Sequence, residues 1–297
     1  MLNKLFDLEH DQRGFKTIFH ALMGVVLLLA GNILSSLPID LFYSLTNAES
    51  SPFTVVVRTV LNILVLLLLV YLYVVKGFKM KWSDFRIGKP RNLAIWMTVA
   101  IILPLAVSAF FVLLVPGTFA SSGFERQKII QYIIRAFFSS CLVAGITEEL
   151  VFRGFIMRLL EIRWNKNIAI VLPSVLFGLI HILNMEQFNI IDVLQLLCAG
   201  TAVGIMFSMI AYQSGSIWAS AAVHGVWNFV IVGGILGIDA EPWPSIYTYT
   251  LDANSTLLTG GAFGIESSLP AVIGYGIIIL LAVFLLRRNV AKASAGS

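Results

Sequence analysis

Apolar residues run along this chain in long blocks, with polar residues collected between them. Residues 15–37, 53–75, 93–115, 128–158, 168–184, 190–212, 216–236 and 269–286 are each long enough to cross, as helices, a hydrocarbon core about 30 Å thick. The pattern predicts an all-α polytopic membrane protein with about eight transmembrane helices. It divides the chain into an N-terminal segment 1–14, a membrane domain 15–286 and a tail 287–297. The first block continues far past the apolar stretch of a removable signal peptide.

Composition agrees. The chain is 58% hydrophobic and 12% charged, whereas a soluble domain carries about 25% charged residues. The charges are unevenly placed. Lys76, Lys79, Lys81, Arg86, Lys89 and Arg91 stand in the link 76–91, and Arg158, Arg163 and Lys166 follow the fourth block. Arg287, Arg288 and Lys292 mark the C-terminal end, and Lys4, Arg13 and Lys16 the N-terminal one. With eight spans all four groups fall on one side, while the links 38–52 and 237–268 hold no Lys or Arg. The positive-inside rule makes both termini cytoplasmic. The net charge of +4 follows from these topology signals and calls for no nucleic acid. The expected partner is the lipid bilayer, in a bacterium the plasma membrane. Cys141 and Cys198 lie in apolar blocks without a metal spacing and are expected as buried free thiols.

The fourth block contains "ITEELVFRG", residues 146–154. An ionised side chain at the centre of a membrane helix costs about 2.5–3.5 kcal/mol. Glu149 and Arg153 are spaced i,i+4, lie on one face of an α-helix and can pair. Glu148 is turned about 100° away and is left free for chemistry. Two histidines also lie within spans. His181 ends "FGLIH", one turn after Phe177, and His224 opens "HGVWN", one turn before Asn228. Intramembrane ionisable groups face the bundle interior or a wet cavity, so these residues are expected to share one. At about 1.5 Å per residue, Glu148 and His224 sit about 15 and 12 Å from their cytoplasmic helix ends, and His181 about 20 Å. Elsewhere Arg58 is expected to snorkel, Arg135 and Asp192 form a candidate pair, and Asn32, Asn62 and Gln195 are candidate interhelical hydrogen-bonding residues.

One carboxylate, two imidazoles and an amide suit hydrolysis by an activated water. Glu148 would accept its proton with help from His181, and His224 and Asn228 would donate to the developing oxyanion. A second version places a divalent metal such as Zn²⁺ on Glu148, His181 and His224. The residues by themselves leave both versions open.

"EELVFRG", "FGLIH" and "HGVWN", in that order on separate spans, resemble the EExxxR, FxxxH and HxxxN motifs of the CAAX prenyl protease and bacteriocin-processing (CPBP, or Abi) family of intramembrane proteases. The resemblance covers about 140–230 and is nearest to the type II CAAX prenyl endopeptidases. It implies a catalytic core at about 128–236, approached from the cytoplasmic side and acting on a membrane-associated peptide or protein. The substrate would be a prenylated CAAX protein or a bacteriocin- or signal-peptide-like chain. It also implies that Glu148 and His181 activate water, that His224 and Asn228 hold the oxyanion, and that Glu149, Arg153 and Phe177 support the site. Members have been described both as metalloproteases and as glutamate-dependent enzymes without a metal. The competing readings are an ion- or proton-coupled transporter, against which no internal repeat is visible, and a non-catalytic membrane scaffold or self-immunity protein.

Overall fold

The computed structural model describes residues 14–295 apart from 49, 80, 186 and 187. Of the predicted N-terminal segment only Gly14 is among them. The fold is an all-α membrane bundle with one small sheet. Among the described residues seven helices are long and apolar enough to cross a membrane. α1 is Phe15–Thr46. α2 begins at Pro52 and extends through a π-helical end to Gly77. α3 is Leu93–Leu114 and α4 is Arg126–Arg163. α5 is Lys166–His181 and α6 is Ile190–Ser214. The eighth expected span is the shorter apolar helix α7, Ile217–Val232, and α8 is Leu269–Ala295.

Local chemistry sets the helix starts. Ser51 and Thr54 form a reciprocal capping box around Pro52 at the opening of α2. Asn165, Asn189 and Ser216 each accept a backbone N–H at the first turn of α5, α6 and α7. Gly215, in the left-handed conformation, ends α6 and turns the chain directly into α7.

α4 departs from the expected regular helix. It is α-helical at Arg126–Arg135 and Met157–Arg163, and π-helical over Ala136–Glu148 and Leu150–Ile156. The Thr147 hydroxyl donates to Val143 O at 2.7 Å, the carbonyl that an α-helix would give to the Thr147 N–H. Wide turns of this kind recur at functional sites. Glu148 and Glu149 stand where the two π stretches meet.

Two close approaches place the site. A Cβ on Gly145 of α4 would lie 2.8 Å from Ala221 O of α7, and one on Gly225 would lie 2.8 Å from Cys141 O. These paired glycines bring the α4 and α7 backbones together beside the acids and next to His224. Gly178 of α5 meets Gly200 of α6 in the same way.

The link 237–268 is ordered. β1 (Gly117–Ser121), β2 (Leu236–Asp239) and β3 (Tyr247–Leu251) form a sheet in the order β1-β3-β2, with β1 antiparallel and β2 parallel to β3. After β3 the chain folds into single turns of helix, the last at Ile265–Ser267, before α8.

Several polar expectations resolve. Asn62 donates to Asn32 at 2.6 Å, joining α2 to α1. Gln195 instead reaches the outer link, donating to Thr256 O and Ser267 O. Arg58 pairs with Asp40. Among the described residues no ion pair joins Arg135 to Asp192. Asp192 instead accepts from Ala262 N at 3.4 Å, because the ordered link folds down beside α6. Both cysteines are free, with Cys141 half-buried. Cys198 is exposed rather than buried, since it lies on a flank of α6 turned away from the bundle.

Candidate active site

The two adjacent acids of α4 occupy opposite environments. The Glu149 side chain is fully buried, whereas that of Glu148 keeps 23% of its surface accessible. Glu149 Oε1 receives Arg153 Nη1 at 2.8 Å, the i,i+4 pair expected from spacing. Arg153 is itself sealed in. Its Nη2 donates to Gly204 O of α6 at 3.0 Å, and its guanidinium lies 4.8 Å from the Phe177 ring and 5.2 Å from the Phe207 ring. Aromatic faces and a carbonyl thus solvate a buried cation where water cannot.

The same Glu149 oxygen meets His224 Nδ1 at 3.1 Å. A carboxylate engaged with an arginine only accepts, so Nδ1 carries the hydrogen and Nε2 is left for chemistry. Nε2 lies 3.9 Å from Glu148 Oε2, a separation that one small polar group can bridge. Phe207 stacks on the imidazole, with centroids 4.6 Å apart and planes at 16°, and fixes its plane.

His181 is oriented from its own helix. Its Nδ1 donates to Phe177 O at 2.8 Å, which leaves Nε2 as the free acceptor of the neutral ring. The Phe177 ring packs near both imidazoles, 4.3 Å from His181 and 6.0 Å from His224. His181 is 6.1 Å from Phe263 of the outer link. It stands at the end of α5 that faces this link.

Glu148, His181, His224 and Asn228 all line one cavity of about 1030 Å³. Its inner wall comes from α4, α5, α6 and α7, and its outer wall from the link 237–268. Among the described residues the lining includes Asp192, Asp239, Glu241 and Glu266 and no Lys or Arg. Sequence reasoning assigned no role to Glu266. Its Oε2 accepts from Trp227 Nε1 at 3.1 Å, and its backbone carbonyl accepts from Tyr275 OH at 2.9 Å. Burial pushes the Glu266 carboxyl above the usual range. The Trp227 N–H and the imidazoles of His181 and His224 oppose that shift, and Glu148 adds to it. Burial likewise raises Asp239, against the pull of the Glu241 and Ala240 N–H groups. The only signal in the sequence was an acid in an otherwise uncharged stretch, "GIESS".

Residues 129–230 match the family model described as type II CAAX prenyl endopeptidase Rce1-like. No curated protein matches the chain. The match runs from α4 through α7 and takes in every motif residue of the cavity. The matched segment is similar to that family, whose members are CAAX proteases acting on membrane-associated substrates. It lends no support to the bacteriocin-processing side of the resemblance or to a metalloprotease. Glu266 and the sheet lie outside the matched segment. Among the described residues no three His, Cys, Asp or Glu side chains are grouped as ligands for one ion.

Proposed function

We propose that this protein is an intramembrane endopeptidase in which Glu148 activates a water molecule. The observation that carries the reading is the division of labour between neighbours. Glu149 is held in an ion pair with Arg153, while Glu148 faces the cavity 3.9 Å from His224 Nε2. Glu148 takes a proton from water, and the oxygen adds to the scissile carbonyl carbon. His181 Nε2 accepts a hydrogen bond from the same water and orients it. The carbonyl oxygen becomes an oxyanion. His224 Nε2–H and the Asn228 amide donate to it. With Nδ1–H held by Glu149, donation from Nε2 uses the imidazolium, to which Glu149 is the counter-ion. Collapse breaks the C–N bond, and Glu148 returns its proton to the leaving amine.

A divalent metal on Glu148, His181 and His224 would supply an activated water as well, and no step above depends on one. The substrate class follows from the Rce1-like match: a membrane-associated chain, prenylated or not. The test is cleavage of a fluorogenic membrane-anchored peptide by purified protein in detergent, with Glu148→Ala and His224→Ala alongside. Full activity in both variants would sink the proposal. Metal analysis and chelator treatment of the same sample separate the two mechanisms.

A further inference from the structure

We infer that the free edge of strand β2 binds the backbone of the substrate, which lies in the cavity as an extended segment and adds to the sheet as a further strand. The inference rests on the proteolytic reading for what the segment is. It places a binding element outside the matched residues 129–230.

The sheet order β1-β3-β2 leaves β2 with one neighbouring strand, so one of its edges is unpaired. The register sets Leu236 opposite Tyr247 and Ile238 opposite Tyr249. Tyr247 N donates to Ile235 O at 3.0 Å. In a parallel ladder every second residue makes both of its backbone bonds to the neighbour. Ile235, Gly237 and Asp239 therefore turn their backbone groups to β3, and Leu236 and Ile238 turn theirs away. Ile238 is buried, with 3% of its surface exposed, and it lines the cavity. Among the described residues no other segment supplies a backbone partner for its N–H or C=O. Buried backbone groups are nearly always paired, so these two call for a partner within the cavity. The edge ends at Ala240, whose N–H is taken by Asp239 Oδ1 at 2.7 Å. The opposite edge of the sheet, on β1, contributes no residue of Gly117–Ser121 to the cavity wall.

Position and chemistry both favour a peptide as the occupant. β2 continues the wall that carries Asn228. Asn228, Ile231 and Val232 at the end of α7 line the cavity, and so do all of residues 238–243. A backbone held on this edge runs along the wall of the proposed oxyanion donor. A helical substrate keeps its carbonyls in its own hydrogen bonds, so cleavage requires an unwound segment. Unwinding inside a membrane leaves N–H and C=O groups without water to receive them, at high cost. The edge of β2 supplies partners for them, as sheet edges do wherever an extended peptide adds as a strand. The cavity, at about 1030 Å³, exceeds the roughly 300–1,000 Å³ of small-molecule pockets and has room for a peptide segment.

The test is an N-methyl scan of the fluorogenic membrane-anchored peptide. One N-methyl group is placed on each successive amide on either side of the cleaved bond, and kcat/KM is measured for each peptide with the purified full chain. Only alternate amides of an added strand face β2. Methylation of those amides is expected to lower kcat/KM about tenfold, and methylation of the amides between them much less. On the protein side, Ile238→Pro removes the free N–H and leaves the β3 ladder intact, since proline is tolerated at such edge positions. Ile238→Ala controls for the lost side chain. Ile238→Pro is expected to have a kcat/KM about tenfold below that of Ile238→Ala, at the same melting temperature. Losses without alternation along the peptide, or equal kcat/KM in the two variants, would overturn the inference. If Ile238→Pro does not fold, the peptide scan decides alone. Binding of the same peptides to Glu148→Gln protein, followed by fluorescence anisotropy, separates this inference from the reading it rests on. Alternation in binding without cleavage by the wild type keeps the strand pairing and removes the proteolytic reading. Cleavage without alternation removes only the pairing.

Discussion

His224 Nδ1 lies 3.1 Å from Glu149 Oε1, the oxygen that also receives Arg153 Nη1 at 2.8 Å. A buried cation, a buried carboxylate and an imidazole therefore form one chain, and its far end is the His224 Nε2 that faces Glu148. The residue that holds the site together and the residue that would do the chemistry are neighbours in sequence. They should fail in different ways.

Glu149→Ala would leave Arg153 buried without its carboxylate, a change that typically costs about 3–5 kcal/mol. Thermal unfolding in detergent should show a large loss of stability. Glu148→Gln, at a site facing the cavity, should leave the melting temperature close to wild type while lowering kcat by about 10²–10⁴-fold. Equal destabilisation by the two substitutions would contradict the separate roles.

Asn228 lines the cavity one turn beyond His224. In the proposed role of oxyanion donor it would act on the transition state and little on the ground state. Asn228→Ala should lower kcat by about 10²–10³-fold with KM nearly unchanged. A rise in KM at constant kcat would instead assign Asn228 to substrate binding.

The glycine contacts between α4 and α7 allow a steric prediction. A Cβ at Gly225 would meet Cys141 O at 2.8 Å and Cys141 Sγ at 3.0 Å. Gly225→Ala should push the helices apart and cost about 1–3 kcal/mol, and Gly225→Leu more. Activity should fall further than stability, because His224 adjoins the contact. The checks are melting temperature and kcat on the same preparations.

Glu266 gives a pH signature. Its carboxyl titrates above the usual range because of burial, in the field of His181, His224 and Glu148. The folded state therefore binds a proton that the unfolded state has already lost at the same pH. This contribution is fully present below the unfolded-state value of about 4.3 and is lost as pH rises through the raised folded value. Glu266→Gln imitates the protonated form and retains the acceptor for Trp227 Nε1. The melting temperature of the variant relative to wild type should therefore rise from acid toward neutral pH. A difference independent of pH would mean that Glu266 does not titrate in the folded protein.

Much of this protein is written locally. Long apolar blocks specify spanning helices because a bilayer leaves backbone groups no other partner. The Glu149–Arg153 pair is likewise legible, since residues four apart on one helix are neighbours whatever surrounds them. The three motifs were visible as misplaced polar groups in apolar runs. Contacts between distant segments were not. The Glu149–His224 bond joins residues 75 apart, and Glu266 reaches the cavity from a link outside the three motifs. The π-helical winding of α4 and the nitrogen that each imidazole presents also depend on their hydrogen-bond partners in the folded chain. Local periodicity determines which faces are polar. Only packing decides which polar faces meet, because those partners come from segments far apart in the chain.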